Sequence, residues 1–263
     1  MKLGVFLYCG NDYNQSIRCI NSILRQKNTN IDLQLIFDDE ETKAQVLKTI
    51  APFSPYCIFR GERTIKASFL ELIQGSSTDY FILAIYNQVF SMGCFDLIKD
   101  SLGDFDGAVV NYACFKNDKP NKVYNTLSYS TFFSIAPYCY NIIFKTKLFK
   151  ESPLYFNLSY EVQPFFAASY FAGAKNILFV DDVFYYKDSP QAKRAFVNEI
   201  DLDEMSRIAR LARRLKKAGK YDCAAKFVAL YLDRIIELKQ KPLSAKQKLR
   251  YFYYTLKIGS ALL

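Results

Sequence analysis

Apolar and polar positions in the first two thirds of the chain follow the order of strand, helix and strand. Residues 3–9 form a continuous apolar run, typical of a strand buried on both faces in a mainly parallel sheet, and residues 33–37 form a second run. Between them, Ile17, Ile20 and Ile23 recur at helical spacing. The alternation continues along the chain and predicts an α/β fold with helical crossovers between strands.

Further elements follow from the same patterns. The predicted strands are 56–59, 80–85, 107–112, 141–144 and 176–180. The acidic pair Asp181-Asp182 is predicted to end the last of them. The predicted helices are about 41–50, 64–74, 94–101 and 163–172. The aromatic, turn-rich stretch 113–140 shows no assignable pattern, and 190–198 is predicted to be a linker.

Beyond this linker the apolar positions recur only at helical spacing. Gly219 and Pro242 divide this part of the chain into helical segments. We therefore predict an α/β domain at residues 1–190 and a basic helical region at residues 198–263.

The basic charge is concentrated in the helical region. The chain has a net charge of +9, but residues 1–192 hold 18 basic and 19 acidic side chains, whereas residues 193–263 hold 17 and 7. Residues 207–220 combine seven basic side chains with apolar ones at helical spacing, which is typical of a helix that lies on an anionic membrane surface. The alternative is a helix packed on the domain with solvated charges.

Other partners of the helical region follow from the same composition. The basic stretch lacks the interleaved aromatic residues of single-strand binders, so we expect no nucleic-acid partner. The aromatic residues of the last segment could face a partner chain, a bilayer or the body of the protein, and the sequence does not decide between these three. Its rings are Tyr251, Phe252, Tyr253 and Tyr254.

The amino-acid composition excludes several kinds of catalytic and metal site and indicates the cellular compartment. Histidine is absent, which excludes Ser-His-Asp and Cys-His nucleophiles and imidazole-bound metals. The seven cysteines are scattered without Cys-x-x-Cys spacing, as expected in a reducing cytosol. No apolar run is long enough to span a membrane. We expect a cytoplasmic protein, peripheral on the inner face of the cell membrane if the basic helix binds lipid.

Four stretches in order along the chain resemble family 2 glycosyltransferases of the GT-A fold. They begin at strand ends, where ligands bind in open α/β sheets. The first pairs Tyr8-Cys9-Gly10-Asn11 with Ser22-Ile23-Leu24-Arg25-Gln26, eleven residues after Asn11. The others are Leu35-Ile36-Phe37-Asp38-Asp39, residues 78–84, and residues 156–162 with 180–187.

The resemblance implies both a fold and an activity. The fold is a GT-A-like, Rossmann-related mixed sheet flanked by helices, here followed by the basic helical tail. The activity is sugar transfer from a nucleotide-sugar, with UDP-sugars the first expectation, to a glycan or lipid-linked acceptor in bacterial surface polysaccharide or glycoconjugate synthesis. The implied donor-binding residues are Tyr8, Asn11, Asp38, Asp39, Asn87 and Lys187.

The acidic pair after the second strand has two interpretations. A carboxylate can accept the imide N–H of uracil, which is the role that the resemblance implies for Asp38 and Asp39. The alternative is an N-cap for the helix that starts near Glu41.

The chain departs from the family at two carboxylate positions. Mg²⁺ or Mn²⁺, the usual cofactor, needs hard oxygen ligands from an Asp-x-Asp, but this chain has Ile85-Tyr86-Asn87 there, which leaves only the neutral amide oxygen of Asn87 to touch a cation. We name no metal-ligating residue, and Mg²⁺ or Mn²⁺ stays an open alternative with its usual ligands missing. The family's Glu-Asp pair reads Glu161-Val162. Glu161 is therefore our candidate catalytic base, with a charge that complements a helix dipole as the alternative.

Two accounts of these losses stay open. The chain is an active transferase in which Lys187, or Arg60 with Arg63, neutralises the diphosphate, and Glu161, Asp181 or Asp182 acts as the base. Otherwise the fold has lost catalysis and serves as a binding or scaffold subunit for a protein partner.

Overall fold

The structure is a computed structural model that describes residues 1–26, 30–53, 55–59, 65–116, 119–135, 139–151, 163–187 and 201–262. The strands are Leu3–Gly10 (β1), Ile31–Phe37 (β2), Tyr56–Phe59 (β3), Tyr80–Ile85 (β4), Gln88–Phe90 (β5), Gly107–Lys116 (β6), Lys119–Tyr124 (β7), Ile142–Lys145 (β8) and Ile177–Lys187 (β9). The helices are Tyr13–Leu24 (α1), Glu40–Thr49 (α2), Ile65–Gly75 (α3), Cys94–Leu102 (α4), Tyr129–Ile135 (α5), Thr146–Glu151 (α6), Gln163–Gly173 (α7), Leu202–Lys217 (α8), Tyr221–Ala229 (α9), Leu232–Gln240 (α10) and Ala245–Leu262 (α11).

The described strands form one mixed sheet. Its order is β3-β2-β1-β4-β8-β6-β9-β5, and β7 pairs with β6. Strands β1 to β4 pair in parallel, β8 runs antiparallel to β4 and β6, and β9 runs parallel to β6. The prediction of an α/β fold with a mixed sheet flanked by helices is confirmed.

The centre of the sheet is buried on both faces. Every residue of β4 and all but one of β1 are buried, which explains their continuous apolar runs. Phe81 of β4 stacks on Phe6 and Phe144, with ring centroids 5.4 and 5.1 Å apart. Ring pairs of this kind stabilise the core beyond the burial of their surface.

The strand β9 is longer than the sequence pattern predicts. The prediction that it ends at Asp181-Asp182 is wrong, because the strand continues to Lys187. Both carboxylates are exposed at an irregularity in the pairing with β6, where the Asn111 side chain donates a 2.9 Å hydrogen bond to the Asp181 carbonyl. A bulge exposes polar side chains without ending the strand, so the local polarity was misleading.

The aromatic stretch without an assigned pattern contains a hairpin and a helix. β6 and β7 pair antiparallel, and Tyr112 of β6 stacks on Tyr124 of β7 with ring centroids 4.6 Å apart. After β7, the Thr126 amide and hydroxyl both donate to the buried Asn111 side chain. Cross-strand pairs and buried polar contacts therefore organise this stretch, and neither has a periodicity that a sequence reveals.

The C-terminal helices pack on the rest of the protein through an apolar face. Phe227 of α9 lies against Phe133 and Phe165, with ring centroids 5.9 and 5.4 Å apart. The three apolar positions of α8 that recur at helical spacing within residues 207–220 are fully buried. They are Ile208, Leu211 and Leu215. The core therefore extends from the sheet into α8 and α9.

The burial of α8 changes the interpretation of residues 207–220. Because its apolar side chains lie in the core, this helix can offer a membrane only its charges. Lys220 is used within the protein, since its ammonium donates to the carbonyls of Phe171 and Ala174 at the end of α7. Within the described part of the chain, no helix combines the length and apolarity needed to cross a membrane. The predicted linker 190–198 lies outside the described residues.

Candidate functional site

Three of the loops that carry predicted site residues meet at one edge of the sheet. Tyr8 on β1 lies in register with Ile36 of β2 on one side and Ile85 of β4 on the other. Because the three strands are parallel, their carboxyl ends and the loops after them come together. This edge brings Tyr8, Asp38, Asp39 and Asn87 into one site.

Tyr8 and Asp38 form the centre of the site. The Tyr8 hydroxyl donates a short hydrogen bond to Asp38 Oδ2, and the Asp38 amide donates to the Gly10 carbonyl at 3.1 Å. Gly10 has a φ of +60°, so a side chain there would strain the turn that places Asp38 beside the end of β1. The pair is half-buried and unites residues 30 positions apart in the chain.

Asp39 caps the helix that follows it. Its Oδ1 accepts the Thr42 amide at 2.7 Å, as an N-cap of α2. The N-cap alternative from the sequence is therefore realised, with the helix starting at Glu40. The second oxygen, Oδ2, is shielded from solvent and has no hydrogen-bond partner among the described residues. Oδ1 of Asp39 thus stabilises the start of α2, and Oδ2 can still accept a hydrogen bond.

Asn87 lies in the tight connection between β4 and β5. The Tyr86 amide donates to the Tyr8 carbonyl at 2.9 Å, and the Ile85 amide donates to the Gln88 side chain at 2.9 Å. These bonds hold the connection against β1. Asn87 Oδ1 is shielded from solvent and, within the described chain, finds no donor. It is the second acceptor at this edge without a donor.

Lys187, at the end of β9, lies in register with Gln88, directly after Asn87. Its side chain is only 3% exposed, and Nζ lies 4.6 Å from the centroid of the Tyr112 ring. Burial lowers the pKa of this ammonium to about 8, because removal from water disfavours the charged form. Tyr112 is itself stacked on Tyr185, with centroids 5.4 Å apart. The structure thus places the backbone of Lys187 next to Gln88, directly after Asn87, and its buried ammonium over the Tyr112 ring.

The other predicted site residues are less engaged or lie elsewhere. Asn11 is exposed, directly after β1 at the same edge. Asp181 and Asp182 are exposed within β9. Glu161, Arg60 and Arg63 lie outside the described residues, so their predicted roles stay predictions.

The described residues contain no preformed protein cage for a divalent cation. No group of three carboxylates or thiols among them could hold a metal ion, and the Asp-x-Asp position offers only the neutral oxygen of Asn87. Asp38 already accepts a bond from Tyr8.

Sequence reasoning missed how Ser22 and Gln26 support the site. Gln26 Nε2 donates to the carbonyls of Ser22 and Ser91, each at 2.9 Å, and the Phe90 amide donates to Ser22 Oγ at 2.9 Å. The bonds to Ser91 and from Phe90 tie α1 to β5, the strand that follows Asn87. The available signal was the Ser-x-x-x-Gln spacing, which places both side chains on one helical face.

Comparison with solved structures identifies the same architecture in glycosyltransferases. One similar structure is that of residues 1–349 of the S. aureus protein TarS, a GT-A-type glycosyltransferase, in complex with UDP-GlcNAc. The TM-score is 0.70 and the sequence identity is 12%, and the match covers 100% of this chain and 82% of the TarS chain. The structure of the same TarS residues in complex with UDP has a TM-score of 0.70 and a sequence identity of 14%, with 81% of the TarS chain covered. A mannosyltransferase from Pyrobaculum calidifontis with GDP-Man and Mn²⁺ gives a TM-score of 0.51 and 10% identity, covering 99% of this chain and 84% of that one.

These likenesses concern the fold, because the identities are far below those that carry a function. No protein-family model matches the chain, and no curated protein sequence matches it. The resemblance to family 2 in particular therefore stays a prediction. The GT-A-like α/β fold predicted from the sequence is confirmed, and the chain has the architecture of a glycosyltransferase.

Proposed function

We propose that this protein binds a nucleotide-sugar, with UDP-sugars first, at the edge formed by β1, β2 and β4. In this proposal it transfers the sugar to a glycan or lipid-linked acceptor in the synthesis of a bacterial surface polysaccharide or glycoconjugate. Residues 1–190 form the donor-binding domain and residues 198–263 a helical region with a separate role. The complexes of TarS with UDP-GlcNAc and UDP support the choice of donor class.

The observation that carries the proposal is the set of acceptor oxygens at this edge. Asp38 is oriented by Tyr8, while Asp39 Oδ2 and Asn87 Oδ1 are shielded and lack donors among the described residues. Buried acceptors without partners cost free energy, so a side-chain shift that turns Asp39 Oδ2 and Asn87 Oδ1 toward the donors of a bound ligand is favourable. A uracil imide and ribose hydroxyls are such donors. The rings of Tyr8 and Tyr86, 6.4 Å apart, provide a face for a base beside them.

Lys187 is our candidate for the charge that a metal supplies elsewhere. Departure of a nucleoside diphosphate needs a positive charge nearby, and a buried cation acts more strongly than one in water. The backbone of Lys187 pairs with Gln88, directly after Asn87. In the transfer, an acceptor hydroxyl attacks the anomeric carbon, the bond to the diphosphate breaks, and Glu161 takes the hydroxyl proton.

The second candidate function is a catalytically inactive subunit that binds an active transferase. The observation that favours it is the loss of both Asp-x-Asp carboxylates, which leaves Asn87 as a neutral remnant. The two candidates agree on the fold and differ in turnover. A subunit of this kind has no need of a proton acceptor at position 161.

Calorimetric titration with UDP, UDP-sugars and GDP-sugars, each with and without Mn²⁺, tests donor binding. We expect micromolar binding of a UDP-sugar without a metal requirement. Asp38→Asn should weaken it about ten- to 150-fold, since charge-assisted hydrogen bonds contribute about 1.5–3 kcal/mol and 1.4 kcal/mol is a factor of ten. The matched control is Asp100→Asn, which changes an exposed carboxylate on α4 and should leave affinity unchanged. Failure of every nucleotide to bind would overturn the proposal.

Turnover separates the two candidate functions. Release of UDP in the presence of acceptor extracts, abolished in Glu161→Gln while donor affinity is kept, would support the enzyme. Donor binding without release of UDP under any condition would favour the inactive subunit.

A further inference from the structure

The outer face of α11 presents an apolar stripe. Leu249, Phe252, Tyr253 and Leu256 are 70%, 61%, 49% and 57% exposed. Their spacing of three and four residues places them on one side of the helix. An apolar patch of this kind on a surface marks a contact with another molecule.

The opposite face holds α11 to the protein. Ile258 and Ala261 are buried, and at the end of the helix the Lys216 ammonium of α8 donates to the Ser260 carbonyl at 2.9 Å. The Tyr251 hydroxyl donates to the Ile235 carbonyl of α10 at 3.0 Å. The helix is therefore oriented by its inner face, and the stripe points away from the core.

A lysine flanks the stripe on each side. At 100° per residue, Lys248 and Lys257 lie on its two sides, and Lys257 Nζ is 3.9 Å from the centroid of the Tyr253 ring. Beyond Lys257, α11 and α8 enclose an open groove of about 860 Å³. Its basic lining is Arg210, Arg213, Arg214, Lys216, Lys217 and Lys257.

The charge of this surface selects its partner. The residues that line the groove include no acidic side chain within the described chain, and the sequence of α11 contains none. Leucine and aromatic side chains favour the boundary between headgroups and acyl chains, while lysine and arginine reach lipid phosphates. We propose that the stripe of α11 inserts into an anionic membrane surface, with the flanking lysines and the α8 groove contacting the lipid phosphates.

This proposal assigns the two helices different roles. The apolar side of α8 is in the core, so α11 provides the insertion and α8 provides charge. The proposal goes beyond donor binding and does not depend on it, since no residue of the stripe or groove belongs to the sheet edge.

A single-tryptophan reporter tests the insertion directly. Because the chain has no tryptophan, Phe252→Trp introduces a single tryptophan into the stripe. The matched control is Met92→Trp, which replaces an exposed apolar residue of the α/β domain. With vesicles of phosphatidylcholine and phosphatidylglycerol, Phe252→Trp should shift to the blue and be quenched by brominated lipid. The control should do neither.

Vesicle sedimentation of the full chain measures the strength of binding. The wild type should pellet with mixed vesicles, less at high salt, and scarcely with phosphatidylcholine alone. Leu249→Gln/Phe252→Gln/Leu256→Gln should abolish pelleting, whereas Phe53→Gln/Met92→Gln/Leu127→Gln, equal in the number of exposed apolar residues removed, should not. Lys248→Gln and Lys257→Gln should each lower the partition coefficient about fivefold.

Two results would overturn the proposal. One is equal pelleting of the wild type and the α11 triple variant. The other is a wild type that does not pellet with vesicles and is dimeric by light scattering, while the triple variant is monomeric. That result would make the stripe an interface between two copies of the chain.

Discussion

Replacing Lys187 by methionine tests whether the buried cation lowers stability and serves binding. An ammonium with an ordinary pKa of 10.5 has a pKa of about 8 in the folded protein. At 1.36 kcal/mol per pKa unit, the charged form destabilises the folded state by about 3 kcal/mol at neutral pH. Methionine fills a similar volume without a charge.

The sign of the pH dependence follows from the same shift. Between pH 8 and 10.5 the unfolded chain binds more protons than the folded one, so this lysine makes the free energy of unfolding rise with pH. Below pH 8 both states are protonated and the full penalty applies. Relative to Lys187→Met, the wild type should therefore gain about 3 kcal/mol between pH 7 and 11.

Urea unfolding followed by circular dichroism at several pH values measures this difference. Taking wild type minus variant cancels the tyrosines and cysteines that titrate in the same range. Lys175→Met, which removes an exposed lysine, is the control and should leave the pH profile parallel to that of the wild type. A wild-type-minus-Lys187→Met difference that stays constant from pH 7 to 11 would refute the reasoning.

The same variant has an opposite effect on the proposed function. Donor affinity of the wild type should fall as pH rises through about 8, because Lys187 loses its charge. Lys187→Met should bind weakly at all pH values. A more stable protein that binds nucleotide poorly is thus the expected result, whereas unchanged donor affinity would remove Lys187 from the site.

Three other substitutions test contacts around the site and the helical region. Tyr8→Phe removes the donor to Asp38 and should weaken nucleotide binding about tenfold by calorimetry, with a stability loss near 1 kcal/mol. Gln26→Ala removes the bond to Ser91 after β5 and the bond to Ser22 within α1, and should cost about 1–3 kcal/mol in urea unfolding, with weaker donor binding as a secondary effect. Lys220→Met leaves two carbonyls at the end of α7 without their donor and should cost about 1–3 kcal/mol in thermal unfolding without changing donor affinity. Unchanged stability of either of the last two variants would contradict the structural role given to its side chain.

The parts of the fold that the sequence predicts are those set by local patterns. The runs at β1 and β4 are apolar because both faces of a central strand are covered, so a reader of the sequence finds them at once. The N-cap at Asp39 involves only the first turn of α2, up to Thr42, so the local sequence also predicts it. Asp181-Asp182 was misread as a strand end because a bulge depends on the partner strand.

The sequence by itself determined the alternation of strands and helices, the positions of the loops at the ligand-binding edge and the basic character of the last helices. Only the tertiary structure decided that Tyr8 binds Asp38 and that Lys187 is buried, with its backbone paired with Gln88, directly after Asn87. It also decided that the apolar side of α8 lies in the core while that of α11 is exposed. Both helices carry similar local patterns, and burial depends on which neighbours the whole chain brings to each face.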